Sequence, residues 1–288
     1  AHQALCQLLP GSRPGPMSFS SLPAGIRLYD AHLHLYDPCL QAAMEGGNFG
    51  QVPNLSAQLV NGTHPDDWPL VAALQEPGPA RILRAYGVHP WKVSSLPEDW
   101  ERQLRNFLES GAASVGEIGL DNWVEPRDER RQMEVFESQL QMASELGLPP
   151  TLHCLRAWGL LIDTLRRGPD LKRGFLVHGF GGSVEVMHQL LDRGGYFSFS
   201  AYAADPGRKR MRDAARACPP DRLLVETDAP DMVPPEAVCR YPLNDSAGHR
   251  LHHPAEIQTA YAFLAEWRGV DLAELAGQVE TNFQRLFL

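Results

Sequence analysis

The sequence of 288 residues contains no apolar run near the roughly 20 residues that span a bilayer, so no membrane-crossing helix is expected. It has no surplus of positive charge: 26 Lys and Arg face 35 Asp and Glu, a net charge of −9. Proteins that grip duplex DNA through phosphate contacts are usually basic, so tight non-specific duplex binding is disfavoured. Phosphoester chemistry stays open, because bound cations supply positive charge locally. The five cysteines, Cys6, Cys39, Cys154, Cys218 and Cys239, form no Cys-x-x-Cys pair. An odd count in a chain this long argues against a disulfide framework and for a reducing cytoplasm. Cys154 reads as a buried apolar residue rather than a nucleophile. No internal repeat, low-complexity tract or interdomain linker is visible, so residues 26–288 read as one domain. Residues 1–25 are rich in Pro, Gly and Ser and lack the basic start and apolar run of a secretory signal. They read as a flexible extension, with Met17 as an alternative start.

What is present is a core and a rhythm. Apolar residues make up 43% and charged residues 21%, which suits a folded chain rather than a disordered one. A first short apolar run carries Ile26, Leu28 and Leu35. Further runs at 57–61, 82–88, 113–118, 150–153, 174–178, 196–200 and 222–226 read as strands. Amphipathic helical patterns fall at 98–110, 128–146, 183–191, 207–218, 254–268 and 271–286. The stretch after the second strand holds Pro65, Pro69, Pro77 and Pro79, so its helix is expected to be short. Eight strands alternating with helices predict an α/β fold, a TIM-type (β/α)8 barrel with its chemistry at the carboxyl ends of the strands. The irregular section 231–253 follows the eighth strand and is placed to form a wall of the pocket.

The most informative feature is the pair His32 and His34 in Asp30-Ala31-His32-Leu33-His34. Side chains one residue apart on a strand point the same way, so two imidazoles project together as a metal chelate. Alone, such a pair is common. Here the later strand ends repeat the theme. His64 follows the second strand, His89 the third (Gly87-Val88-His89-Pro90), and Glu117 ends the fourth (Gly116-Glu117-Ile118-Gly119-Leu120-Asp121). His153 ends the fifth, His178 the sixth, and Asp228 the eighth (Glu226-Thr227-Asp228-Ala229-Pro230). Packing alone would prefer apolar strand ends, so the pattern points to a metal site.

These landmarks, with the closing Thr281-Asn282-Phe283-Gln284-Arg285-Leu286-Phe287, resemble those of the TatD-type metal-dependent hydrolases, a branch of the amidohydrolase-like barrels. The likeness runs from Leu28 to Leu288. It implies two divalent metal ions (Zn, Mg or Mn): one held by His32, His34 and Asp228, the second by His153 and His178, with Glu117 bridging. The chemistry agrees, since a carboxylate has two oxygens and can span two cations whereas an imidazole cannot. The resemblance also implies deoxyribonuclease activity, often exonucleolytic on single strands.

The expected reaction is metal-assisted hydrolysis of a phosphodiester, with Asp228 taking a proton from the attacking water. His89 is expected to contact a phosphate or the leaving oxygen, or else to cap the loop before Pro90. His64 and Glu226 are further candidate substrate contacts, with Glu226 alternatively orienting a ligand. Asp121 is read as structural. Trp91, Trp123, Tyr202 and Tyr36 are candidates for stacking on bases. Arg208-Lys209-Arg210 is a weak basic cluster that reads more readily as solvated surface. The expected partner is single-stranded DNA, with no membrane and the chain acting as a monomer. The late loop departs from the family: where Arg-Asn-x-Pro is usual, Arg250-Leu251-His252-His253-Pro254 stands here. The stretch 37–54 is also unusual, with Gly46, Gly47 and Gly50 suggesting a flexible lid. The rival readings are an amide or ester hydrolase on the same fold and a non-catalytic relic of the site.

Overall fold

A computed structural model describes residues 25–44, 52, 54–76 and 78–288. The extension over 1–24 and the lid at Gly46, Gly47 and Gly50 therefore lie outside the described residues. The described chain forms eight barrel strands: β1 (Leu28–Leu33), β2 (Leu55–Asn61), β3 (Arg81–Tyr86), β4 (Ser114–Asp121), β5 (Pro150–Leu155), β6 (Phe175–Val177), β7 (Gly195–Phe199) and β8 (Leu223–Val225). They pair in sequence order and all in parallel. Parallel neighbours need a crossover, and helices supply it: α1 (Pro38–Ala43), α2 (Trp68–Ala73), α3 (Trp100–Glu109), α4 (Glu129–Leu146), α5 (Trp158–Arg167), α6 (Val184–Leu191) and α7 (Lys209–Ala217). After β8 come a small antiparallel hairpin, β9 (Leu243–Asn244) and β10 (Arg250–Leu251), and the helices α8 (Ile257–Arg268) and α9 (Leu272–Phe287). This is the expected TIM-type barrel. None of the described helices is long and apolar enough to cross a membrane.

Two details of the barrel set up the site. The seam between β8 and β1 closes just beyond the strand ends. Asp228 N–H donates to the His32 carbonyl at 2.9 Å, and His34 N–H to the Ala229 carbonyl at 2.7 Å. The buried Asp30 carboxylate accepts from Thr227 N–H (3.1 Å), Thr227 Oγ1 (2.6 Å) and His32 N–H (3.2 Å). The two segments that carry His32, His34 and Asp228 are thereby locked together. From outside, α9 buries Leu275, Val279, Phe283 and Leu286 along one face. Its Asn282 donates to the carbonyls of Pro220 and Leu223, holding the entry to β8.

The second detail is α4. Its apolar face buries Val135, Phe136, Leu140 and Ala143, while Met133 and Leu146 pack at the core's edge. On the same helix two buried glutamines, seven residues apart, bond to strand-end backbone. Gln132 bridges N–H and C=O of Asp121 (2.9 and 3.1 Å), and Gln139 bridges those of Val88 (2.7 and 3.2 Å). A helix so fixes the ends of two strands that carry site residues, satisfying backbone groups that would otherwise be buried unpaired.

The structure departs from the sequence expectations in three places. β4 does not end at Glu117 but continues to Asp121, with a register shift against β5 between Val115 and Ile118. Beyond Ile118 the stretch Gly119-Leu120-Asp121 has no β-branched residue to signal that the strand goes on. His153 likewise precedes the end of β5. Helix α5 went unforeseen: its N-cap is Ala157, which makes no side-chain cap bond, and Gly159 sits in its first turn.

Candidate metal centre

Within the barrel mouth, β1 presents His32, and His34 follows one residue beyond the strand. Both are buried. Their Nε2 atoms lie 3.3 Å apart. Each faces Glu117 Oε2, at 3.4 and 3.2 Å, and Asp228 Oδ1, at 3.4 and 3.6 Å. Four donors held by a single ion at 2.0–2.2 Å in a tetrahedron stand about 3.4 Å from one another, so these spacings match a shared cation better than mutual hydrogen bonds. Asp228 adopts a left-handed backbone conformation (φ 60°), a position a non-glycine residue keeps only where its surroundings hold it.

A second set gathers on the other oxygen of Glu117. His178 Nε2 lies 2.8 Å, His153 Nδ1 3.0 Å and His89 Nε2 3.3 Å from Oε1. His153 and His178 approach each other to 3.4 Å. One carboxylate thus serves two donor groups, one on each oxygen.

The far nitrogens of the imidazoles test whether these residues suit a metal. His34 Nδ1 meets the Asn61 carbonyl at 2.8 Å, so that nitrogen carries the proton and Nε2 offers its lone pair inward. His153 Nε2 meets Asp121 Oδ2 at 2.9 Å, which leaves Nδ1 for the centre. His178 Nδ1 lies 4.0 Å from Glu226 Oε2. A carbonyl or carboxylate behind the imidazole is the usual support of a metal-binding histidine. His32 Nδ1 and His178 Nδ1 are buried without a hydrogen-bond partner, so that support is seen at His34 and His153. The donor chemistry fits divalent cations.

The electrostatics point the same way. Burial raises the Glu117 carboxyl, but the surrounding histidines, His178, His89 and His32 foremost, outweigh it and hold it well below the usual range. Burial lowers His34, yet the bond and charge of Glu117 and the charge of Asp228 lift it to about 10. Burial likewise lowers His153, and Asp121 and Glu117 lift it to about 9. The pocket therefore favours positive charge at this point, whether proton or cation. Asp228 is pushed well above the carboxylate range, by burial first, with Glu117 and Asp231 adding to it and His34 opposing.

His89 caps the following turn, the second of its two alternative sequence expectations. Its Nδ1 accepts from Trp91 N–H at 3.2 Å as the cap of the following turn. Nε2 must then carry the proton of the neutral ring and donate toward Glu117. Burial lowers this imidazole to about 4, so it is neutral at pH 7. His64 is buried elsewhere on the rim. Its Nδ1 accepts from Asp66 N–H, and its Nε2 lies 3.3 Å from Ser95 Oγ. Glu226, a candidate for substrate contact or for orienting a ligand, is fully buried. Its Oε1 accepts from Gly179 N–H at 2.6 Å and its Oε2 from Ser198 Oγ at 2.5 Å, so it fixes the turn after β6 behind His178. The 231–253 section begins against the site: Asp231 feels the charges of His34 and Glu117, and Met232 packs on Gly179. Its His252 is buried, its backbone N–H bonded to Pro230 and its Nδ1 to the Asp231 carbonyl.

Asp121 and Asp30 are the residues that sequence reasoning undervalued. Both are buried. Besides His153, Asp121 accepts from Trp91 Nε1 (2.7 Å) and Trp123 N–H (2.6 Å). Burial raises its carboxyl, but the bonds from His153 and Trp123 hold it at about 2. The signal was there: Glu117, Gly119 and Asp121, like Asp30, His32 and His34, are two apart and share a strand face.

The family model for TatD-related DNases matches residues 29–288. The 3'-5' ssDNA/RNA exonuclease TatD of Enterobacter lignolyticus is 31% identical over 240 residues, covering 81% of this chain and 88% of that protein. The uncharacterized metal-dependent hydrolase YcfH of Escherichia coli K12 is 35% identical over 208 residues, covering 72% and 74%. Among solved structures, the TatD homologue YJJV of Escherichia coli K12 superposes with a TM-score of 0.78 at 27% identity, covering 91% of this chain and 98% of that one. The chain belongs to the TatD-related DNase family. It is a metal-dependent hydrolase of that type, acting on ester bonds.

Proposed function

We propose that the chain is a nuclease that hydrolyses phosphodiester bonds in single-stranded DNA at a centre of two divalent cations. The observation that carries this reading is the placement of Glu117, with His32 and His34 on one oxygen and His89, His153 and His178 on the other. His32, His34 and Asp228 would hold one ion, His153 and His178 the other, and Glu117 would bridge them. When bound, such a pair supplies Lewis acidity toward phosphoryl oxygens and brings the pKa of a water toward neutrality. The imidazole-rich set favours zinc by affinity, while phosphoryl chemistry commonly runs on magnesium or manganese.

The remaining work falls to the chain's own groups. Asp228, buried beside His32 and His34, accepts the proton of the attacking water at its carboxylate. His89, a neutral donor at Nε2, hydrogen-bonds a phosphoryl or leaving oxygen. His64 remains a rim contact to the strand. Glu226 acts as a positioning residue through the turn that follows His178, and Asp121 through His153.

The test is an end-labelled single-stranded oligonucleotide incubated with metal-stripped protein and then with Mg²⁺, Mn²⁺ or Zn²⁺ added. The strand is expected to stay intact without metal and to shorten with it. An intact strand under every metal, alongside turnover of an amide or carboxylic ester, would reject the nuclease reading.

A further inference from the structure

Of the six tryptophans, Trp91 and Trp123 are the exposed ones, at 53% and 54%. Both stand beside the metal centre, on the turns that follow β3 and β4. An exposed indole has no packing reason to be held still, yet both are held. Trp91 donates its Nε1 proton to Asp121 Oδ2, and Trp123 its backbone N–H to Asp121 Oδ1. Trp91 also sets its ring edge-on to His89, with centroids 4.9 Å apart. The Arg156 guanidinium lies 3.8 Å from the centre of the Trp123 ring. Arg156 follows β5 directly and reaches that position from a left-handed backbone conformation (φ 57°). Among the described residues, no carboxylate pairs with this guanidinium. The result is one hydrogen-bonded indole and a second covered on one face by an unneutralised cation, set on the rim of an acidic protein.

We infer that Trp91, Trp123 and Arg156 form a shelf that stacks the nucleobases of a single strand next to the scissile phosphate, Arg156 attending the backbone. This deepens the nuclease reading and rests on it for the nature of the strand. The chemistry suits that ligand in particular. Every base offers a π-face, so aromatic stacking binds single strands with little regard for sequence, whereas a paired duplex hides those faces. A guanidinium over an indole binds a phosphate while adding cation–π attraction. Asp121 gives the shelf its register. The carboxylate that holds both tryptophans also holds His153 on its Oδ2, so a base stacked there sits at a fixed distance from the centre.

The experiment measures equilibrium binding of a phosphorothioate-linked oligothymidylate, which resists cleavage, to the metal-loaded protein. It is repeated with an abasic residue moved along the strand. With wild-type protein, one or two abasic positions are expected to weaken binding by roughly 5- to 100-fold and the others little. Trp123→Ala and Trp91→Ala should weaken binding of the intact strand similarly, and add little once the sensitive base is gone. Trp91→Phe, which keeps a ring but loses the bond to Asp121, should recover part of the loss. Equal binding of intact and abasic strands by wild-type protein overturns the shelf whatever the variants do. If that protein also cleaves ordinary single strands, the nuclease reading survives alone. Base-dependent binding without cleavage under any metal would do the reverse, keeping the shelf and removing the nuclease.

Discussion

Glu117→Gln is expected to lower metal-dependent hydrolysis of a single-stranded oligonucleotide by roughly 10³-fold or more, about 4 kcal/mol of transition-state stabilisation. The substitution is isosteric, so packing at this buried position is unchanged. What changes is the donor set. Glutamine keeps one oxygen and turns the other position into an N–H donor, which cannot bind a cation. Whichever way the amide sits, either His32 and His34 or His89, His153 and His178 lose their shared anion. The negative charge that lifts His34 and His153 disappears as well. Because Glu117 is held well below the usual carboxylate range, it is ionised across the working pH range, and the loss should be flat with pH. Initial rates, with metal content and melting temperature on the same samples, check this. A variant with normal stability and activity within tenfold of wild type would remove Glu117 from its bridging role.

Gly119→Ala is expected to destabilise the fold by about 3 kcal/mol or more, with a thermal midpoint lowered by roughly 5–10 °C. At Gly119 the strands β4 and β5 approach so closely that an added Cβ would sit 1.9 Å from the His153 carbonyl oxygen. The backbone there has φ +149°, which L side chains rarely adopt. Neither conflict can be relieved by turning a side chain, because both partners are main chain. The strand carrying His153 must shift, so metal affinity should fall with stability. Urea unfolding followed by circular dichroism measures the first effect and calorimetric titration with Mn²⁺ the second. Stability within 1 kcal/mol of wild type would mean that the two strands are not so close.

The same glycine explains why parts of this protein were easy to read in its sequence and others were not. Strands such as β2 and β7 announce themselves because apolar side chains must face both the barrel interior and the helices. The histidines at the strand ends stood out because packing gives no reason for them. The far end of β4, past Ile118, hid behind its own function. A carboxylate, and a glycine that admits a close neighbour, replaced the residues that signal a strand. Helix α5 hid because its stability comes from Leu161, Ile162 and Leu165 packing on the barrel, with no local starting signal. Glu226 left two readings open, orienting residue or substrate contact, for a different reason. Alternation placed it on the same side as Asp228, but not how deep, and depth decides whether a carboxylate meets substrate or backbone. Asp121, read as structural, bonds a candidate metal ligand, the Trp91 indole and the Trp123 backbone.

The paired centre is tested most directly by titrating metal-free protein with Mn²⁺ while following the electron paramagnetic resonance signal and strand hydrolysis together. Glu117 offers one oxygen to each donor set. Ions bridged by one carboxylate, about 3.5–4 Å apart, couple their spins. The expected result is a coupled signal that grows as the second ion binds, with hydrolysis rising alongside it. Full hydrolytic activity with a single uncoupled Mn²⁺ per chain would contradict the bridging of two cations by Glu117.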